Sequence, residues 1–107
     1  MKENTLGVKE MKVMKTSEFD ELFIGKSVTF WIGKEPIYFG LFVLEIEVSD
    51  IGGKECIVFF GESNNDKFAV EFGYGFGIKV KGERMHYWVD SMNRDEATVI
   101  VYEISEP

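Results

Sequence analysis

At 107 residues the chain is long enough for one domain with its own core and too short for two. An apolar share of 45%, with ten phenylalanines, excludes a disordered polymer and points to a packed interior. A formal net charge of −7 argues against a surface built for phosphate backbones, and a single cysteine excludes an internal disulfide.

The charge is concentrated. Between Glu18 and Asp66 ten carboxylates (Glu18, Asp20, Glu21, Glu35, Glu45, Glu47, Asp50, Glu55, Glu62, Asp66) face three lysines (Lys26, Lys34, Lys54), and elsewhere nine acids meet nine bases. The lone Cys56 suits a reducing compartment. The opening Met-Lys-Glu-Asn-Thr has no apolar h-region, and no run approaches the ~18 residues of a membrane span. The expectation is one domain over residues 1–107, in the cytoplasm and away from membranes.

In chain order, residues 6–14 read as an edge strand, with lysines that discourage edge-to-edge association. Ser17 is placed to cap a short helix over 17–24. Phe19, Leu22 and Phe23 fall on one face, acids lie in the first turn, and Gly25 ends it. Two turns of helix cannot stand alone, so this one must dock on a sheet. Ser27 to Ile32 alternates as a strand, stopped by Gly33-Lys34-Glu35-Pro36.

Residues 37–62 hold the strongest signal, two β-branched and aromatic runs flanking Gly52-Gly53, which reads as a hairpin. A three-residue loop, Ile51-Gly52-Gly53, pairs Asp50 with Lys54 and sets Leu44, Ile46 and Val48 against Phe60, Val58 and Cys56. A two-residue Gly52-Gly53 loop would pair Asp50 with Glu55 and Val58 with Glu47, so the three-residue form is expected. A second such loop, Ser63-Asn64-Asn65, keeps the parity. It predicts an inner face of Leu44, Ile46, Val48, Cys56, Val58, Phe60, Phe68, Val70 and Phe72.

Gly73-Tyr74-Gly75-Phe76-Gly77 has strand, not helix, after it, and so reads as a bulge or sharp bend rather than a dinucleotide fingerprint. Strands over 78–81, 85–90 and 97–104 follow, with a Gly82-Glu83-Arg84 turn and a polar turn over 91–96. The fold class expected is mainly β to α+β. It is an antiparallel meander in a strongly bent sheet, small barrel or sandwich, with one short helix near 17–24.

No set of residues assembles a reaction. His86 has no second imidazole or Cys pair to share a metal, and Cys56 reads as a small core hydrophobe rather than half of a Cys56–His86 dyad. Lys79, Lys81 and Arg84 near Tyr74, Phe76, Tyr87 and Trp88 have the ingredients of a single-strand site, against which the overall acidity argues. The expectation is therefore no enzyme, no catalytic residue, no metal and no cofactor.

The expected site is a protein-binding face. In the three-residue register Ile57 lies between Glu47 and Glu71, and Phe59 between Glu45 and Ala69. Either a second layer such as the 17–24 helix covers Ile57 and Phe59, or they form an exposed apolar centre ringed by acids. The second arrangement gives a partner-binding set of Glu45, Glu47, Asp50, Ile51, Glu55, Ile57, Phe59 and Glu71. The function expected is an acidic module masking a basic protein, as an immunity protein masks a nuclease toxin or an inhibitor masks a nucleic-acid-acting enzyme. No direct nucleic-acid contact is expected. The alternative is a small-molecule-binding β-barrel whose bent sheet encloses an apolar cavity, with His86 or Tyr87 as a polar handle.

Overall fold

The structure, a computed structural model, describes residues 9–105; the side chains of Lys9, Tyr38, Phe39 and Ile51 lie outside that description. Its elements are β1 (Lys9–Lys15), α1 (Thr16–Phe23), β2 (Ser27–Ile32), β3 (Glu35–Ile51), β4 (Lys54–Ser63), β5 (Asp66–Phe72), β6 (Phe76–Val80), β7 (Met85–Asn93) and β8 (Thr98–Ser105). All eight strands form one antiparallel sheet in the order β1-β8-β7-β6-β2-β3-β4-β5. It does not close: β1 and β5 are edges. Of the three forms the sequence allowed, this is the strongly bent sheet. The first residues of the strand expected over 6–14 lie outside the described range.

Chain connectivity forces the bend. The far edge, β5, returns to β6 through Gly73, Tyr74 and Gly75 alone. Four Cα steps from Phe72 to Phe76 reach at most ~14 Å, whereas four strand spacings across a flat β5-β4-β3-β2-β6 stretch are ~19 Å. The sheet must therefore curl until the two ends approach. Gly75 supports the sharp link with φ 78 and donates its N–H to the Val89 carbonyl at 2.9 Å. The rings of Phe72 and Phe76 stack across it with centroids 4.4 Å apart. The glycine-rich run is thus the bend expected of it.

The central register differs from expectation. Ile51 pairs with Lys54, Asp50 with Glu55, Val48 with Ile57 and Glu47 with Val58, so the loop is the two-residue Gly52-Gly53. Ser63 likewise pairs with Asp66 around Asn64-Asn65. Gly52, Gly53, Asn64 and Asn65 all have positive φ (61°, 83°, 52° and 70°). Two consecutive positive-φ residues make the tight hairpin turn whose twist matches the strands. That fit outweighs the like-charge pairing of Asp50 with Glu55, which sits at the solvated hairpin tip and receives the Tyr74 hydroxyl on Glu55 at 3.3 Å.

Facing changes accordingly. Ile46, Val48, Val70 and Phe72 point to the core side as expected, but Ile57 and Phe59 join them in place of Cys56, Val58 and Phe60. Leu44 and Phe68, also expected inside, are 47% and 39% exposed. Cys56 and Val58 are buried on the opposite, convex side.

Inside the bend lies a cluster of rings. Phe30 is 4.8 Å from both Phe59 and Phe72, and α1 adds Phe19 and Phe23, each of which packs on Phe59. Phe23 also meets Tyr87 edge to face at 5.4 Å. The helix starts one residue earlier than expected because β1 runs straight into it. Lys15 is the extended cap residue, and Glu18, not Ser17, closes the first turn by accepting the Lys15 N–H at 3.0 Å. Gly25, with φ 83, ends the helix and donates its N–H to the Val43 carbonyl at 2.8 Å. Burial of Asp20 raises its carboxyl above the ordinary value. β2 matches expectation at both ends. β3 begins at Glu35 rather than 37, and β7 runs on to Asn93, so the turn expected over 91–96 is shorter. No helix among the described residues is long and apolar enough to cross a membrane.

Candidate partner-binding face

The convex side of β3, β4 and β5 is built by strand parity. With Ile46, Val48, Ile57, Phe59, Val70 and Phe72 committed to the core, Glu45, Glu47, Cys56, Val58, Phe60, Ala69 and Glu71 turn outward. Cross-strand pairing puts Val58 between Glu47 and Glu71, and Phe60 between Glu45 and Ala69. Glu62 lies between Phe42 and Lys67. Carboxylates therefore flank an apolar strand on both sides, with Val58 buried and Phe60 half-buried between them.

A β-bulge sharpens this surface. The register slips between Val43 and Glu45, so Leu44 is the extra residue and is not folded into the core. Gly61 sits opposite the slip, where a Cβ would run into the Phe42 carbonyl oxygen and crowd the Leu41 side chain. Only glycine lets β3 come that close. Leu44 then lines an open groove of about 320 Å³ with Phe60, Gly61, Lys67, Phe68 and Ala69. Phe42, 42% exposed, lies two residues before Leu44 on the same strand.

Of the residues expected here, Glu45, Glu47 and Glu71 share this face. Asp50 and Glu55 pair at the hairpin tip. Glu55 and Glu71 also border a second hollow of about 570 Å³ with Lys54, Cys56 and Tyr74. Partial burial, and then the charge of Glu55, pushes the Tyr74 hydroxyl above its ordinary value. Ile51 pairs with Lys54, but its side chain lies outside the described residues. Ile57 and Phe59 are 1% and 0% exposed within the core cluster, with Phe59 against Phe19 and Phe23 of α1, so of the two arrangements weighed for them the covered one is observed. The apolar contacts available on this face are instead Phe42, Leu44 and Phe60, while Phe68, paired with Gly61, has the core-side parity of Phe59 and Val70. Gly61, a glycine inside a strand, was the signal in the sequence that a bulge would expose one of them.

The other candidates separate. Cys56 on β4 and His86 on β7 have three strands between them in the sheet order, and no dyad forms. Phe76 and Tyr87 are buried in the concave core, leaving Tyr74 and Trp88 as the outward aromatics of the basic patch. Among the described residues no three His, Cys, Asp or Glu side chains gather as a metal site would require. Comparison with protein-family models, with curated proteins and with solved structures finds no match for this chain, so its surface chemistry is the ground for any functional reading.

Proposed function

We propose that this chain is a non-catalytic binding protein whose β3–β5 face masks a basic protein, in the way an immunity protein covers a nuclease-type toxin or an inhibitor covers a nucleic-acid-acting enzyme. The observation that carries this reading is the exposed apolar pair Phe42 and Leu44, with half-buried Phe60, beside the outward carboxylates Glu45, Glu47 and Glu71. An apolar centre within a charged rim is the anatomy of a protein interface, in which the centre holds the complex and the rim steers it. The ring-filled concave side supports this reading over the cavity-binding alternative, because the space a barrel would offer a small molecule is occupied by Phe19, Phe23, Phe30, Phe59 and Phe72.

The experiment is to purify the chain with the basic protein that accompanies it and to follow the complex kinetically. Glu45→Lys with Glu47→Lys keeps the fold, since both side chains point away from the core, and slows association by at least about tenfold at low salt. Added salt weakens the unmodified complex and narrows that gap. Phe60→Ala and Leu44→Ala act on dissociation instead. Unchanged affinity in both sets of variants would place the interface elsewhere.

A further inference from the structure

The other half of the convex side carries a different chemistry. The pairings Trp31–Gly77, Gly77–Trp88, Trp88–Tyr102 and Tyr102–Met11 form one lateral row across β2, β6, β7, β8 and β1. Directly paired residues share a face, and the neighbours Phe30, Ile78, Tyr87 and Val101 are all core, so this row points outward. Trp31 lies over Gly77, where any Cβ would strike three atoms of the indole six-membered ring. His86 meets the same indole edge to face at 5.1 Å. The ring is thereby laid against a bare backbone with an imidazole beside it, and it has little freedom left to lose on binding.

Trp31 and His86 line an open groove of about 510 Å³ with Thr29, Gly33, Lys34, Pro36 and Lys79. A neighbouring groove of about 420 Å³ shares Thr29 and Lys79 and adds Lys81. Three lysines, Lys34, Lys79 and Lys81, therefore line the two adjoining grooves beside the indole. Among the described residues no carboxylate or carboxamide lines either groove, which leaves a neutral sugar without its usual hydroxyl partners. A planar ring that carries negative charge matches both features.

We propose that the Trp31 groove binds a nucleobase bearing a phosphate, free as a nucleotide or within a single strand. The base stacks on the indole, and the phosphate lies between Lys34 and Lys79, with Lys81 positioned for the next phosphate of a strand. Local charge, not the net −7, governs contacts of this length, because fields from the acidic half fade over a Debye length of ~8 Å in physiological salt. The site lies on the opposite half from the β3–β5 face, so the two readings stand or fall separately.

The test uses the whole chain and its two tryptophan indole N–H resonances, assigned with Trp31→Phe. Adenosine monophosphate and a single strand of about eight adenylates are titrated up to about 10 mM nucleotide, the weak end of the affinity scale. The expected result is a saturable shift of the Trp31 resonance. Trp31→Ala weakens binding about 10- to 100-fold, the scale of one lost base stack, and Trp31→Phe keeps most of it. Lys34→Glu, in an exposed turn where folding is not at stake, weakens it at least about fivefold by replacing attraction with repulsion. Glu45→Lys with Glu47→Lys leaves it unchanged. A strand that binds far tighter than the mononucleotide identifies the source as single-stranded nucleic acid; equal affinity identifies the free nucleotide. Absence of any shift with both ligands overturns the proposal. So does an equal shift with inorganic phosphate alone, or wild-type affinity in folded Trp31→Ala and Lys34→Glu.

Discussion

One continuous ladder of strands carries two unlike halves on its convex side. β3, β4 and β5 follow one another in sequence and present Glu45, Glu47 and Glu71 around Val58 and Phe60. β2, β6, β7, β8 and β1 come from both ends of the chain and present Trp31, Trp88, Tyr102 and Met11, with Lys34, Lys79 and Lys81 beside the indole. The first half is local, so its acidity is already visible as a run of residues. The second comes into being only when the three-residue link 73–75 brings β6 against β2. A chain with a net charge of −7 can thus still hold a cationic, aromatic surface.

The sharpest way to break this comparison is to ask which side of β4 faces the core. Phe59 touches Phe19, Phe23, Phe30, Phe72 and Phe76 and is wholly buried. Phe59→Ala should cost about 3–5 kcal/mol, as large core truncations do. That corresponds to a fall in melting temperature of roughly 15–30 °C for a domain of this size. Phe60→Ala, on the half-buried convex side, should cost about 1 kcal/mol. Thermal unfolding of the two variants measures the difference, and equal losses would mean that the strand faces the other way.

That parity is where the sequence was least legible, for a physical reason. Cys56, Ile57, Val58, Phe59 and Phe60 are all apolar, so either alternate set makes a credible core and the hydrophobic pattern cannot choose the register. Turn chemistry could: Gly52-Gly53 and Asn64-Asn65 are pairs that accept positive φ at both positions. The pairing of acids at Asp50 and Glu55 pulled the other way, although it costs little at an open tip. β2, both hairpins, the helix and the bend at 73–77 were readable because each is specified within a few residues. Glu45, Glu47 and Glu71 were readable as outward for the same reason. The aromatic row was not, since no local signal places β6 between β2 and β7. Gly77 inside a strand hinted only that something approaches the backbone there.

Glycine substitutions test the two halves at intermediate cost. Gly77→Ala drives a methyl group into the Trp31 ring and should cost about 1–3 kcal/mol, the range for overpacking. It should also move the Trp31 indole resonance. Gly73→Ala places its methyl group in open space without a positive φ, so it should be neutral or stabilising by up to about 1 kcal/mol. Chemical denaturation of both variants gives the comparison. A harmless Gly77→Ala would mean that the indole is not held against the sheet.

The smallest effect separates acidity kept for binding from acidity kept for folding. Glu45 and Glu47 lie on the same side of β3 two residues apart, about 7 Å along the strand. Two like charges at that distance repel by about 0.6 kcal/mol in water. Glu47→Gln removes this repulsion and part of the excess negative charge, so it should stabilise the protein by a few tenths of a kcal/mol at low salt. The gain should vanish near 1 M salt, where the Debye length falls to ~3 Å. Lys34→Gln takes a positive charge from a molecule that already carries −7 and should give no such gain. On the binding reading, Glu47→Gln also slows partner association, so stability and affinity move in opposite directions, as they do where charge is retained for function. If Glu47→Gln instead destabilises the fold, and does so equally at high salt, this carboxylate supports the sheet and the acidic half is structural.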